Sequence, residues 1–157
     1  MNEVKQIDRQ HDGALSKQRL RVWLRLLRAT RTIEGDLRER LRLGHGSTLP
    51  RFDVMATLGR YPEGLRMSEL SAHLKVSNGN VTGIVERLVA EGLAERSAVE
   101  GDRRAMRVRL TEAGRTRFAE MAAEHEAWID SLLAEFDADE LNTLIRLLDR
   151  VGEKVPA

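Results

Sequence analysis

Apolar residues recur at three- to four-residue intervals in the first third of the chain, which is the spacing of one face of an α-helix. This stripe ends at the Gly-His-Gly run of residues 44–46, a helix-stop signal. The pattern predicts one long helix from about Ser16, preceded by a flexible arm over residues 1–15. The members of the stripe are Leu20, Trp23, Leu27, Thr30, Ile33, Leu37 and Leu41.

Two short helices are expected next. The first follows Thr48, which can cap it, and ends at Tyr61-Pro62; the second opens at Ser68. Their inward apolar positions are Phe52, Met55, Leu58, Leu70 and Leu74.

A fourth helix is predicted between Ser77, as its N-cap, and Gly92, as its stop. Its apolar residues fall at i, i+3, i+4 and i+7, a complete inward face made by Val81, Ile84, Val85 and Leu88. Two helices joined by so short a turn form a helix-turn-helix, whose second helix enters the major groove of DNA. Short polar side chains near its N-terminal end suit that role. The candidate DNA contacts of this helix are Ser77, Asn78, Asn80, Thr82 and Arg87; the alternative is an ordinary solvated helix face.

A β-hairpin follows directly, with strands predicted over Leu93–Arg96 and Met106–Leu110. Strict alternation in the second strand places Met106, Val108 and Leu110 inward. Arg107 and Arg109 then face outward, where they suit contacts to DNA phosphates. The connection, residues 99–104, forms a basic tip with Arg103 and Arg104, which is either an ordinary exposed turn or a DNA-contacting wing.

The last third predicts two more helices. Thr111 caps a long one, and Asp137 with Glu140 forms a capping box for the final one. The fold class is therefore mainly α with a small β-hairpin: a winged helix-turn-helix over residues 47–111 and a helical dimerisation region over residues 16–46 and 112–157.

Charge is distributed unevenly along the chain although the net charge is only +1. Nine basic residues face three acidic ones from Lys17 to Leu43, and seven face three from Arg96 to Arg117. From Phe118 onward ten acids face three bases, so a nucleic acid would be repelled there and attracted elsewhere.

Composition excludes several other classes. The absence of cysteine excludes disulfides, thiolate metal sites and a cysteine nucleophile. No run of about 18 apolar residues and no signal-peptide core occurs, so a cytoplasmic protein without membrane insertion is expected. No catalytic nucleophile with its base, no phosphate-binding loop and no close histidine pair is visible, which predicts neither an enzyme nor a cofactor or metal site. The alternative to sequence-specific DNA binding is a winged-helix module for protein interaction or architectural DNA binding.

An ordered set of short strings resembles the MarR (multiple antibiotic resistance regulator) family, over roughly Lys17 to Val151. The strings are Met67-Ser68-Glu69-Leu70 through Leu74, Val76-Ser77, Val81-Thr82, Val85-Glu86-Arg87-Leu88, Gly92-Leu93, Asp102-Arg103-Arg104, and Val108-Arg109-Leu110-Thr111 with Gly114. The resemblance implies a homodimeric repressor on a palindromic operator of double-stranded DNA. It also implies that Asp102 fixes Arg104 for insertion into the minor groove.

The same resemblance implies a small-molecule effector, an aromatic acid or its CoA thioester, bound between the dimer helices and the DNA-binding domain. The candidate ligand residues are Trp23, Arg28, Arg31, Phe52, Met55, Met121 and His125. The apolar members could equally be core, His125 could be a core or interface histidine, and the arginines could be solvated or paired with acids nearby.

Overall fold

The computed structural model describes residues 2–74, 78–99 and 102–152, and side chains over 13–74, 80–98 and 106–152. Its elements are α1 (Asn2–His45), α2 (Leu49–Arg60), β1 (Leu65–Arg66), α3 (Met67–Leu74), α4 (Asn78–Ala90), β2 (Ala94–Val99), β3 (Asp102–Leu110), α5 (Glu112–Leu133) and α6 (Ala138–Gly152). The predicted fold class, mainly helical with a small β-hairpin, is confirmed. Backbone contacts divide the chain into two units, residues 1–51 and 52–157.

The first unit is dominated by α1, which begins at Asn2. Regular structure thus begins well before Ser16, where the sequence predicted its start; the flexible arm over residues 1–15 stays a prediction. The segment before Gly13 holds neither proline nor glycine, so nothing in its backbone chemistry opposes a helix even though it lacks an apolar stripe. At the other end Gly46 has φ 58°, and its N–H donates to the carbonyl of Arg42 at 3.1 Å, which closes the helix as predicted.

Charged side chains of α1 pair along the helix surface. Arg38 contacts Glu34 at 2.6 Å and Arg40 contacts Asp36 at 2.6 Å, both at i, i+4 spacing. The apolar stripe is buried only at its C-terminal end, where Leu37 and Leu41 lie. Its N-terminal members are exposed, Leu20 and Trp23 each by 56%.

The second unit is built on a core that α2, α3, α4 and the sheet share. The fourth-helix face is buried as predicted at Val81, Val85 and Leu88, with Ile84 half-buried. The other buried apolar side chains of this unit are Phe52, Val54, Met55, Leu58, Leu65, Leu70, Ala94, Val108, Leu110 and Met121.

The sheet has three antiparallel strands in the order β1-β3-β2. β1 was not predicted, because a two-residue strand carries no period; it exists through pairing of Leu65 with Val108 and of Arg66 with Arg107. The prediction that Met106 faces the core is wrong, since its side chain is 43% exposed. Its cross-strand partner Ala98 is exposed as well, so this part of the hairpin has left the core.

Three of the predicted helix caps are confirmed, at Thr48, Thr111 and Asp137; the predicted cap Ser77 lies outside the described residues. The Arg51 N–H donates to Thr48 Oγ1 at 3.3 Å, and the Gly114 N–H donates to Thr111 Oγ1 at 3.0 Å. The capping box of α6 is reciprocal: the Asp137 N–H donates to Glu140 Oε2 at 3.0 Å, and the Glu140 N–H donates to Asp137 Oδ1 at 2.9 Å.

Candidate nucleic-acid interface

Helix α4 has one fully buried and one exposed face. Val81, Val85 and Leu88 have no exposed surface, so the helix is fixed on the second unit by its apolar side. Asn80 and Arg87 are exposed and lie seven residues apart, which places them on one side of the helix about 10 Å apart along its axis. Gly83 lies between them, and nothing is within 4 Å of a Cβ added there. This face can approach a flat or grooved partner closely.

The structure describes the side chains of only three of the five predicted DNA contacts on this helix. Asn80 and Arg87 are exposed and Thr82 is half-buried. Asn78 is the first residue of α4, but its side chain is outside the described set, and Ser77 lies outside the described residues.

The C-terminal end of α4 is joined to the N-terminal end of α5 by a network of hydrogen bonds. The helix ends in a Schellman motif: Gly92, at φ 72°, donates to the Val89 carbonyl at 3.0 Å, and Leu93 donates to the Leu88 carbonyl at 2.8 Å. Thr111 then bonds to this turn twice, its N–H to the Leu93 carbonyl at 3.1 Å and its hydroxyl to the Gly92 carbonyl at 2.7 Å. The position of α4 relative to the hairpin and α5 is therefore fixed by backbone groups.

The hairpin is longer than the sequence predicts. Ala98 pairs with Met106 and Val99 with Asp102, so the ladder skips residues 103–105 on β3. Asp102, Arg103 and Arg104 therefore belong to β3, which corrects their assignment to the hairpin tip; residues 100 and 101 are outside the described residues. The side chains of Asp102, Arg103 and Arg104 are outside the described set.

The outward face of the sheet carries arginines in two different environments. Arg109 Nε donates to Glu95 Oε1 at 2.7 Å, across the ladder position where these two residues are paired. Arg107 lies two residues before Arg109 on the same strand and is only half-exposed. Its Nε is shielded from solvent and has no hydrogen-bond partner among the described residues. The two predicted phosphate contacts are thus not equivalent.

Sequence analysis did not name Arg96 as a candidate DNA contact. It pairs with Val108 and so lies on the core-side face of the sheet, the side on which α4 contacts β2, yet it is exposed. Within the described part of the chain it makes no ion pair or hydrogen bond. Applying the strand alternation to β2 as well as to β3 would have indicated it.

The predicted ligand residues of the second unit lie in its packed interior. The Phe52 and His125 rings stack with centroids 4.7 Å apart, and Phe118 lies 5.6 Å from Phe52 on centroids. Met55 and Met121 are at most 1% exposed. Phe52, Met55 and Met121 are thus buried in this unit and His125 is half-buried, while their contact with a ligand stays a prediction.

The predicted ligand residues of the first unit lie on the surface of α1. Trp23 is exposed, and Arg28 and Arg31 are exposed without an ion pair among the residues described. In the described ranges no cluster of metal-ligating side chains occurs, and no described helix is long and apolar enough to cross a membrane.

Comparison with known proteins identifies the family. The family model described as MarR family matches residues 45–105, the segment from the end of α1 into the first half of β3. The transcriptional regulator PecS of Dickeya dadantii is 32% identical over 102 residues, which cover 64% of this chain and 61% of PecS. The match thus spans less than two thirds of that relative.

Solved structures extend the likeness to almost the whole fold. A MarR family transcriptional regulator from Silicibacter pomeroyi is 33% identical with a TM-score of 0.74, and the alignment covers 88% of this chain and 95% of that one. A mutant MarR from E. coli, solved in complex with operator DNA, is 27% identical with a TM-score of 0.70, over 81% of this chain and 91% of that one. With the helix-turn-helix, the hairpin and this near-complete alignment in agreement, the chain belongs to the MarR family of transcriptional regulators.

Proposed function

We propose that this chain is a sequence-specific DNA-binding regulator that acts as a homodimer, and that it represses transcription until a small ligand releases it. The observation that carries the proposal is the division of α4 into a fully buried apolar face and an exposed face bearing Asn80, Gly83 and Arg87. A helix fixed in this way can present its polar side to base edges in the major groove. The operator complex of E. coli MarR, a structural relative, supports the same use here.

Dimerisation is supported by apolar side chains that each unit leaves exposed. On α6 these are Leu144, Ile145, Leu147, Leu148 and Val151, and on α1 they are Leu15, Leu20, Val22, Trp23 and Leu24. Exposed apolar surface of this extent marks an interaction site. A two-fold dimer would bind a palindromic operator with half-sites about one turn of DNA apart. The proposed dimerisation region combines residues 16–46 with residues 112–157.

The proposed effector, which the family resemblance implies, is an aromatic acid or its CoA thioester. It would bind the free protein more tightly than the DNA-bound protein. A ligand shifts the equilibrium only through such a difference in affinity. Arg28 and Arg31 are exposed and form no ion pair with any residue that the structure describes, which supports a role in binding an anionic effector.

Asn80→Ala and Arg87→Ala should each weaken binding to a specific operator by about 1 to 3 kcal/mol, the worth of a good base contact. Neither side chain is buried, so both variants should keep the thermal stability of the wild type. A gel-shift titration with labelled operator, repeated on a scrambled duplex, measures the effect. Thr143→Ala, on the exposed surface of α6, is the matched control. If both α4 variants bind operator as tightly as the wild type, α4 does not read the DNA, and equal affinity for both duplexes would favour architectural binding.

Arg104→Ala should weaken operator binding and reduce the slope of log affinity against log salt by roughly one unit, because one cation near the DNA is lost. The narrow minor groove concentrates negative potential and attracts arginine, which supports the proposal that Arg104 inserts there. Titrations by fluorescence anisotropy across a salt series give the slope. Arg117→Ala, on α5, provides the control for loss of an arginine elsewhere. An unchanged slope in Arg104→Ala would remove the wing from the DNA interface.

A further inference from the structure

The turn after α4 is joined to the start of α5 by one side chain, Thr111. Its hydroxyl donates to the Gly92 carbonyl at 2.7 Å and accepts from the Gly114 N–H at 3.0 Å. The donated bond spans 19 residues of sequence, whereas the accepted bond lies within the first turn of α5. A single hydroxyl therefore links the C-terminal end of α4 to the N-terminal end of α5.

The backbone around this hydroxyl forms a junction at which α4, the two hairpin strands and α5 meet. The Thr111 N–H donates to the Leu93 carbonyl at 3.1 Å. Beside it Ala94 pairs with Leu110, where the β2–β3 ladder ends. The junction thus comprises Gly92, Leu93, Ala94, Leu110 and Thr111, and it holds the end of α4 against both the hairpin and α5.

The orientation of α4 depends on this junction. The buried face of the helix packs through Val81, Val85 and Leu88, but apolar contact is not directional and permits small rotations. Hydrogen bonds at the C-terminal end are directional. Asn80 lies about 15 Å from Ala90 along the helix, so a tilt of about 10° at the junction displaces it by roughly 2.5 Å. Such a displacement is enough to break a hydrogen bond to a base.

We propose that Thr111 is a positioning residue for DNA recognition. Its donated bond to Gly92 fixes the orientation of α4 relative to the hairpin, so that both can contact one DNA site together. This role rests on the proposed function, base reading by α4, and Thr111 acts through that helix without needing to touch DNA. Loss of the donated bond should lower the affinity for a specific sequence. Binding to phosphates, which carries no sequence information and tolerates small rotations, should hardly change.

Three substitutions separate this role from simple capping of α5. Thr111→Ser keeps both hydrogen bonds. Thr111→Asp keeps an acceptor for the Gly114 N–H, and aspartate is a good helix cap, but a carboxylate cannot donate to the Gly92 carbonyl. Thr111→Val keeps the shape of the side chain and loses both bonds. If Thr111 only caps α5, Thr111→Asp should behave as the wild type in every measurement.

The first test compares each full-length variant on two duplexes by fluorescence anisotropy: the duplex that the wild type selects from a random-sequence pool, and a scrambled one. In Thr111→Asp and Thr111→Val we expect affinity for the selected duplex to fall about five- to tenfold, the scale of one lost hydrogen bond. Affinity for the scrambled duplex should change much less, and Thr111→Ser should match the wild type on both. Thr116→Asp, the matched control, adds the same charge at an exposed position of α5 and should leave the ratio of the two affinities unchanged.

The second test, amide hydrogen exchange, examines the junction without DNA. The N–H groups of Gly92 and Leu93 donate back to α4, to the carbonyls of Val89 at 3.0 Å and Leu88 at 2.8 Å. In Thr111→Asp both amides should exchange several-fold faster than in the wild type, because the turn opens more often. Exchange in the first turn of α5 and the melting temperature should stay close to those of the wild type, since the cap is kept.

Unchanged exchange in Thr111→Asp, or a preference for the selected duplex equal to that of the wild type, would overturn the proposal. Loss of that preference in Thr111→Ser or in Thr116→Asp would overturn it as well. A wild type that prefers no sequence would instead contradict base reading by α4, so the two failures are distinguishable.

Discussion

Gly114→Ala is expected to be severely destabilising, by roughly 4 kcal/mol, the upper range for single substitutions. A Cβ built on Gly114 would lie 1.9 Å from the carbonyl oxygen of Leu93 and 2.9 Å from its carbon. The obstacle is backbone, not the end of a flexible side chain. That backbone is also held by the Thr111 N–H, which donates to the same oxygen. Either α5 must move away or the turn after α4 must open, so the cost cannot be relieved by a change of rotamer.

Urea and thermal unfolding monitored by circular dichroism measure this effect, and a fall in melting temperature of about 10 °C or more corresponds to the expected loss. Gly83→Ala is the matched control. It adds the same methyl group in α4 where nothing lies within 4 Å, and it should stabilise the helix by roughly 0.5 to 1 kcal/mol. If Gly114→Ala unfolds at the wild-type temperature, the close approach of α5 to the turn does not exist in solution.

Periodic and local signals account for what could be predicted from the sequence. The inward face of α4, the Gly92 stop, the Thr111 cap and the Asp137–Glu140 capping box each depend on residues within one element, and all are found. The same signals, taken in their order along the chain, also indicated the regulator family and the mainly helical fold.

The features that could not be predicted depend on contacts between elements. β1 exists only because β3 lies beside it, and the approach of Gly114 to Leu93 joins residues far apart in sequence. Met106 follows the alternation of its strand but lies beyond the reach of the core, so the period alone could not predict that it is exposed. The unmatched Arg107 Nε likewise depends on what surrounds the strand, which no one-dimensional pattern contains.

Leu148→Glu should convert the proposed dimer to a monomer while leaving the monomer folded. Leu148 is 47% exposed in the single chain and shares one side of α6 with Leu144 and Ile145, so it is not part of the buried core of the single chain. In an isologous interface each change counts twice. Covering about half of each of two leucines contributes roughly 1.5 to 3 kcal/mol before the burial of charge is counted, so its loss raises the dissociation constant at least about 10-fold.

Sedimentation velocity at micromolar concentration distinguishes the two states, with Thr143→Glu as the control. It introduces the same charge on the opposite side of α6, at an exposed position, and should remain dimeric. Operator affinity should fall with the dimer in Leu148→Glu, because a monomer reaches only one half-site. A dimeric Leu148→Glu, or a monomeric wild type, would contradict the proposed interface. A monomeric variant that still bound the full operator normally would separate DNA recognition from dimerisation, and the case for a palindromic operator would fail.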